Sequence, residues 1–513
     1  MQKSLSCVLI AIICGLTVTA QELPSDTVWV HDTLDVPAEP SDTVVVHDAL
    51  AILDESCDSV AVKPHPWRAM GELMVTNVAI FLLDRYILHE PFSYISMNTV
   101  RQNFKSGFAW DDDNFYVNQI GHAYQGGVNF NTARSNGMDF WTSIPYTTVG
   151  SIVWEFLGEN EQPSINDVIT TTMVGTLVGE VSYRMSQHFI DENARGGKRF
   201  VIESVAALLN PIEGVHRLIS GRMWRVAKNG DTCNDKTDAT GNLTVGARYV
   251  WPNSDSSQGF CQPILAFGME YGQIGDGESH FKPYDLFSLD GSFAFGRKQH
   301  LLSHLHLIGR ICSTPVFMNK KMSGELGLYQ FFHYEDTKIM GDSTRSVFPF
   351  GEMASVGPGL LLSFPQIAPR IKAEQRLFLK GVLLGAVKSD YYKFYNRSYN
   401  MGSGFGALSN SKLTWDKIGS VQLRAYYMNL FTWKGYEPRD LNDLVFESNY
   451  LNVLGDRSDA RVFALNLQMY ATLSKNMGIS LGSSFYSRHT HYKYYQNQRV
   501  KGYEIKAGIE WHL

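Results

Sequence analysis

The stretch GHAYQGGVNFNTARSNGMDFW, from Gly121 to Trp141, concentrates side chains that can coordinate, titrate or hydrogen-bond. In and just before it, polar residues recur at spacings of four, three and four, which places them on one face of a helix. This first stripe consists of Asn118, His122, Gln125 and Asn129.

Two later segments carry stripes of the same kind: Ser143, Thr147, Ser151 and Glu155, and then Thr172, Thr176, Glu180 and Arg184. If the three stripes face each other, then His122, Glu155 and Glu180 converge. One imidazole with two carboxylates suits a transition-metal site or general acid–base catalysis, so these three are the candidate catalytic residues. The candidate binding residues around them are Asn118, Gln125, Asn129, Arg134, Ser135 and Arg184.

The same residues have a structural interpretation, which the sequence favours. Glu180 and Arg184 are four residues apart and can pair on a helix surface. Ser164 with Asp167 three residues later has the pattern of a capping box, which accounts for Asp167. A polar seam, a catalytic or metal site and a ligand-binding site therefore stay open as interpretations. The residues predict no particular metal or cofactor.

The elements that must position these residues are helices between about residues 67 and 230. The apolar spacing predicts helices over 68–86, 113–134, 139–157, 164–188 and 198–219, the last interrupted near Asn210-Pro211. The acidic run Asp111 to Asp113 suits the N-terminus of the second. Ionisable residues within these segments are costly in lipid, so we expect a bundle packed on itself or against a barrel.

After Asn242 the apolar period changes to two and continues to the end of the chain, as in YEIKAGIEWHL from Tyr503 to Leu513. Long alternating segments, joined by short turns and longer polar loops, predict an antiparallel transmembrane barrel of about 12 strands over 240–513. A 12% aromatic content with a mean hydropathy of −0.16 fits such a barrel. The predicted fold class is α+β.

The inward faces of the predicted strands carry both signs of charge. In a small barrel such side chains can pair and fill the lumen, so we expect no wide pore, and the helical domain is a candidate to close one mouth. The residues concerned are Lys372, Glu374, Arg376, Glu504, Lys506 and Glu510.

Residues 1–20 have the pattern of a secretory signal peptide, with a basic start, a short apolar run and Ala20 before the predicted cleavage. Residues 21–66 form an acidic linker in which PSDTVWVHD recurs as PSDTVVVHD. Beyond the signal, disulfide pairing cannot be read from the cysteine spacing. The remaining cysteines are Cys57, Cys233, Cys261 and Cys312.

Three stretches resemble an envelope family of Gram-negative bacteria, domain of unknown function 3943: Phe108 to Trp141, Gly150 to Glu159 and Pro163 to Ser186, with Leu209 to Gly221 as a probable fourth. Ala123 stands where the family usually has Pro after the Gly-His pair. The resemblance implies a location and an architecture, and it implies no reaction.

Taken together, these patterns predict an outer-membrane barrel carrying a periplasmic helical domain, with an envelope structural or binding role. The alternatives are a lipid- or envelope-modifying hydrolase and a small-solute channel or transporter. Outer-membrane lipid, the barrel assembly machinery during biogenesis and an envelope protein are the expected partners. A net charge of −6 with 19% charged residues gives no sign of a nucleic-acid binder.

Overall fold

The computed structural model describes residues 63–111, 113–226, 237–251, 259–275, 278–296, 300–319, 321–336, 349–391, 397–436 and 452–512. The predicted signal peptide, almost all of the predicted linker, Cys57 and Cys233 lie outside these residues. Cys261 and Cys312 are free thiols.

The first part of the described chain contains seven α-helices, with π-helical turns at Asp84–Leu88 and Val117–Gly121. Six of the helices fall in the five predicted segments, because the interrupted last segment forms two helices, and α2 was not predicted. Asn210 follows the end of one helix, and its side chain accepts the backbone N–H of Glu213 at the start of the next. Pro211 is the first residue of that next helix, and these two residues explain the predicted interruption. The helices are α1 Pro66–Leu83, α2 Met97–Ser106, α3 His122–Arg134, α4 Phe140–Leu157, α5 Ile165–Phe189, α6 Gly196–Leu209 and α7 Pro211–Ile219.

The second part is a closed barrel of twelve antiparallel strands, as the sequence predicts. The first and last strands close it, with Asn242 opposite His512 and Trp251 opposite Tyr503. The strands are β1 Ala239–Trp251, β2 Phe260–Tyr271, β3 Phe287–Ala294, β4 Leu302–Met318, β5 Ser323–Glu335, β6 Phe350–Ala368, β7 Ile371–Lys388, β8 Tyr399–Trp415, β9 Gly419–Thr432, β10 Ser458–Ser474, β11 Met477–Tyr492 and β12 Gln498–His512.

The two ends of the barrel differ in their connections. At the end where β1 begins, tight turns at 319–322, 369–370, 416–418 and 475–476 join neighbouring strands. At the opposite end the connections include 336–349, 389–398 and 433–457. Bacterial barrels place short turns in the periplasm and longer loops outside, so we call these the short-turn end and the long-loop end.

The outer face of the barrel is apolar, and ion pairs cross the lumen. Leu379, Phe405 and Ile505 project outward and are exposed. Charged pairs cross the lumen between opposite walls: Arg424 on β9 binds Asp290 on β3 at 2.7 Å, and Arg376 on β7 binds Glu270 on β2 at 2.8 Å. A closed antiparallel barrel with this exterior is an outer-membrane β-barrel. The predicted pairing of inward charges is confirmed.

The helices pack against the outside of the barrel wall. On β5, Leu326 and Leu328 face outward and are exposed, and Gln330 and Tyr334 lie further along the same face. The Gln330 side chain donates to Met173 O of α5 at 2.6 Å, and Phe115 stacks on Tyr334 with ring centroids 5.5 Å apart. The helical domain also contacts connections at the two ends, as Trp110 does with Trp433 and Arg184 with Pro283. The described contacts give no support to the expectation that the domain closes a mouth of the barrel.

Helix α5 crosses the wall obliquely from one end to the other. Near its start Thr170 contacts Met353 at the beginning of β6, at the long-loop end. Near its finish Arg184 donates to Pro283 O in the β2–β3 connection, at the short-turn end. Among the described residues, no helix is both long enough and apolar enough to cross a membrane.

Candidate functional site

His122, Glu155 and Asp167 meet in the interior of the helical unit, close to the long-loop end of the barrel. The three come from the start of α3, the end of α4 and the start of α5. One ligand-type atom from each lies within 4.8 Å of the other two, and His122 Nε2 is 3.3 Å from Asp167 Oδ1. All three side chains are buried, with relative exposures of 6%, 1% and 2%. Two of the three predicted catalytic residues are therefore brought together.

Asp167 belongs to this site because it does not complete the predicted capping box. Ser164 Oγ does accept the Asp167 N–H at 3.3 Å, as an N-cap should. The backbone N–H of Ser164, which the third residue of a capping box would accept, instead donates to Glu155 Oε2 at 2.7 Å. The interpretation of Asp167 as only a capping residue is wrong, since its carboxylate is left to face His122.

A hydrogen-bonded layer of amides and one phenol surrounds the three residues. The Asn166 amide donates to Asp111 Oδ1, Asn118 Oδ1 and Asp167 Oδ1 at 2.8 to 3.0 Å. Asn118 donates in turn to Asp111 and to the Tyr399 hydroxyl, at 3.1 and 2.6 Å. Because Tyr399 begins strand β8, the barrel itself helps to hold the site.

Further carboxylates crowd the site and raise proton affinities. Asp113 Oδ2 is 3.9 Å from His122 Nε2, and its side chain is 39% exposed, so it lies at the surface above the buried group. Burial raises the pKa of Glu155 to about 8, although His122 opposes this. Burial and the neighbouring acids also hold the pKa of Asp167 well above its usual range. Burial disfavours the imidazolium of His122, yet Asp113 and Glu155 outweigh it and raise the His122 pKa.

Glu180, the third predicted catalytic residue, lies elsewhere and has a structural role. It is fully buried and accepts from Arg134 Nε at 2.7 Å and from Arg184 Nε at 2.8 Å. Burial alone would raise its pKa, but the two guanidinium groups hold it below the ordinary value. The expectation that Glu180 joins His122 and Glu155 is wrong, and the predicted Glu180–Arg184 pair is present.

The predicted binding residues separate along α3. Asn118 is part of the site, whereas Asn129 lies in mid-bundle, where its Oδ1 is 3.3 Å from Asn77 Nδ2. Gln125 lies between these two positions and Ser135 directly follows α3; both are partly buried. Arg134 and Arg184 belong to the Glu180 cluster. The stripe is thus a polar seam along most of its length and a candidate site at one end only.

The sequence contained signals for the residues that were missed. Asp111 and Asp113 lie just before the helical turns that begin at Phe115, as predicted for a helix N-terminus, and Asp113 also lies 3.9 Å from His122 Nε2. Tyr399 could not have been found, because nothing in the sequence relates β8 to the helices.

Close helix packing holds α3 against α5 in the middle of the seam. A Cβ placed on Gly126 would lie 2.0 Å from Thr171 O, and one on Gly175 would lie 2.4 Å from Gly126 Cα. Only glycine permits this approach, which agrees with the use of small residues where polar helices pack.

A second group of histidines, in the barrel lumen, forms an ion-pair network. Both His304 nitrogens bind carboxylates at 2.7 Å, Nδ1 to Glu335 and Nε2 to Asp290. Arg424 also binds Asp290, so positive and negative charges balance here. Although His304, His333 and Glu335 are close enough to share an ion, the carboxylates already occupy His304. We interpret this group as part of the lumen filling.

The helical segment that holds the candidate site can be compared with known families. Residues 107–212 match the family model described as a domain of unknown function, DUF3943. This segment is similar to the DUF3943 domain. It runs from the end of α2 to the start of α7, and it contains His122, Glu155, Asp167 and Glu180. The resemblance seen in the sequence is confirmed, and the barrel lies outside the DUF3943 match.

Solved structures that resemble the chain are membrane channels. The outer membrane channel DcaP of Acinetobacter baumannii is 9% identical, with 54% of this chain and 97% of that chain covered and a TM-score of 0.20. The anion-selective porin from Comamonas acidovorans is 10% identical, with coverages of 54% and 99% and a TM-score of 0.20. The Pseudomonas putida toluene transporter TodX is 7% identical, with 54% of this chain and 88% of that chain covered and a TM-score of 0.18. Likenesses this weak carry no argument about transport. Among curated proteins, no match was found.

Proposed function

We propose that this protein is a non-conducting outer-membrane barrel that anchors its helical domain at the side wall, where the domain has a structural or binding role in the envelope. We call this domain, residues 63–226, the DUF3943 unit, because it contains the DUF3943 match. The observation that carries the proposal is the filled lumen. Cross-lumen ion pairs lie beside a buried cluster that includes Phe331, Phe378 and Tyr426. The lumen cavity at the short-turn end, of about 250 Å³, is small beside a solute-sized passage.

The DUF3943 unit lies beside the barrel, with its outer face against lipid, in this proposal. The sequence predicts a periplasmic position for the unit, but two observations support a position beside the barrel, in contact with lipid. The contacts with the barrel lie on its lipid-type outer wall, and the outward positions of three helices are apolar. These outward residues are Trp67, Val75, Val78 and Leu82 on α1, Trp141, Val149 and Ile152 on α4, and Phe200, Val201 and Leu208 on α6.

The arrangement of polarity within the unit supports the same placement. Its interior holds Asn129, Thr147, Ser151 and Glu180 beside apolar residues such as Phe130 and Leu177, and its exterior is rich in leucine, valine and aromatic residues. Helices in water show the opposite pattern, with the apolar stripe inward. Helices in lipid turn polar residues toward each other, as here. Outer-membrane lipid is therefore the first proposed partner.

Recordings from planar bilayers test the non-conducting role. The purified full chain should give no steady channel currents. The double variant Arg424→Ala with Tyr426→Ala, which removes two side chains that fill the lumen, should give measurable channel openings. Tyr427→Ala, which changes the neighbouring outward residue on β9, is the matched control and should stay silent. Large, steady conductance of the unchanged protein would contradict the proposal and favour a channel.

An envelope-modifying hydrolase is the second candidate, because His122 and Glu155 do meet near the surface-exposed Asp113. Envelope lipids and peptidoglycan fragments from a deletion strain, complemented with the unchanged gene or with His122→Ala, separate the two roles. A hydrolase predicts the same altered composition in the deletion strain and in the His122→Ala strain. A structural or binding role predicts unaltered covalent structures in both.

A further inference from the structure

We propose that His122, Glu155 and Asp167 bind a divalent transition-metal ion of the Zn²⁺ or Mn²⁺ class, with Asp113 as a fourth ligand at the entrance. This inference goes beyond the proposed function and does not depend on whether the barrel conducts.

The first observation behind this metal site is an imbalance of charge. Glu155 and Asp167 are buried beside a single imidazole, and three partly buried carboxylates, those of Asp111, Asp113 and Glu159, lie near them. Among the described residues, none of these five carboxylates forms an ion pair with a lysine or arginine. The guanidinium in contact, that of Arg397, donates to the Asp111 backbone carbonyl. Buried carboxylates are normally paired or bound to a metal, so this group lacks a cation.

The second observation is the state of the His122 ring. The side chain is 94% buried by its 6% exposure, and neither ring nitrogen makes a hydrogen bond of normal geometry. The ring nevertheless points Nε2 toward Asp167 Oδ1 and Asp113 Oδ2. An imidazole nitrogen left without a hydrogen bond among carboxylate oxygens has the arrangement of a metal ligand.

The distances allow an ion with small movements. Metal–ligand distances of about 2.0–2.2 Å place the ligand atoms of one ion roughly 3–4.4 Å apart. The three ligand atoms lie within 4.8 Å of each other, so the side chains need to close by a fraction of an ångström. Asn166 donates to Asp167 Oδ1, and Tyr399 donates to the backbone carbonyl of Asp113, so both hold ligand residues in place, as outer partners of ligands usually do.

The donor set decides the class of metal. Carboxylates alone suit Mg²⁺ and Ca²⁺, while an imidazole shifts preference to zinc, manganese or iron. The lumen histidines provide the contrast, because His304 is held by two carboxylates and balanced by Arg424. The balance of charge, which indicates a missing cation in the DUF3943 unit, indicates none in the lumen, although neither ring nitrogen of His333 is hydrogen-bonded there.

Metal analysis of the full chain tests the proposal. The protein is purified in detergent without a histidine tag, stripped with EDTA, exposed to ZnCl₂ and separated from free metal; a parallel sample receives MnCl₂. Bound metal is measured by mass spectrometry. We expect close to one ion per chain for the unchanged protein and loss of binding in Asp167→Asn and His122→Ala. His216→Ala, which removes another buried histidine of the same unit paired with Glu72 at 2.7 Å, should retain the ion.

Each outcome decides the question. Heat-modified gel mobility and the helical circular dichroism signal report whether each variant is folded. If His122→Ala does not fold, metal binding by Glu155→Gln and Asp167→Asn decides the question. The proposal is overturned if the unchanged chain binds neither metal, or if Asp167→Asn binds as much as His216→Ala does. Because none of these measurements uses conductance, a failed metal site leaves the non-conducting role standing, and the reverse is also true.

Discussion

Glu155 Oε2 accepts the backbone N–H of Ser164 at 2.7 Å, so a side chain at the end of α4 caps the first turn of α5. In a capping box the carboxylate of Asp167 would fill this position. Because Glu155 takes the bond, Asp167 turns to His122 at 3.3 Å. One exchange of hydrogen-bond partners thus joins two helices and assembles the candidate site.

The metal-free unit should lose stability as the pH rises. Burial raises the pKa of Glu155 to about 8 from an ordinary 4.5, so between these values the folded state keeps a proton that the unfolded state has released. The stabilisation is fully present below the unfolded value and is lost as the pH rises through the folded value. Thermal unfolding of the helical signal should therefore shift to lower temperature between pH 5 and pH 8, roughly the window between the two values.

Two variations control this pH experiment. Glu155→Gln should flatten the slope, because the amide does not titrate, and Zn²⁺ at the alkaline end should restore stability to the unchanged protein. An unchanged slope in Glu155→Gln would show that another group is responsible.

Glu180→Gln should destabilise the DUF3943 unit without affecting metal binding. The change leaves the Arg134 and Arg184 charges buried without their shared carboxylate, and breaking a buried pair in this way costs about 3–5 kcal/mol. Denaturant unfolding measures the loss, and metal analysis measures the site. If Glu180→Gln is as stable as the unchanged protein, water must reach the two guanidinium groups. If it folds but no longer binds metal, Glu180 contributes to the metal site.

Gly126→Ala should weaken the contact of α3 with α5. The added methyl group would lie 2.0 Å from Thr171 O, so the helices must separate, at a cost of roughly 1–3 kcal/mol. Gly71→Ala in α1 is the matched control, because its Cβ meets nothing within 4 Å and alanine is the better helix former. Equal unfolding temperatures for the two variants would contradict the close crossing.

The outward face of the unit should contact lipid. A spin label at Val78 or Ile152, in a chain whose remaining cysteines are replaced by serine, should collide more with oxygen than with a water-soluble nickel chelate. Lys198, whose side chain is 70% exposed, is the control position and should show the reverse. Preferential access of the nickel chelate to Val78 would place the unit in water and favour the periplasmic location predicted from the sequence.

The local elements followed from the sequence because local interactions decide them. A period of two predicts the barrel, and the inward charges predict the ion pairs across its lumen. Ser164 and Asn210-Pro211 predicted helix boundaries that the structure confirms, since a cap or a proline acts within one turn. The polar stripes on three helices were also visible, because residues at i and i+4 share a face whatever the helix packs against.

The tertiary structure alone decided which members of the stripes meet. Helices α3 and α5 run in the same direction, so His122 at the start of one faces Asp167 at the start of the other. Glu180 lies about 20 Å further along α5 and meets Arg134 at the end of α3. The spacing of residues along a helix determines on which face of that helix, and how far along its axis, each side chain lies. The direction and height of its neighbour, and the choice of the outer wall over the mouth of the barrel, come from contacts between residues far apart in the chain.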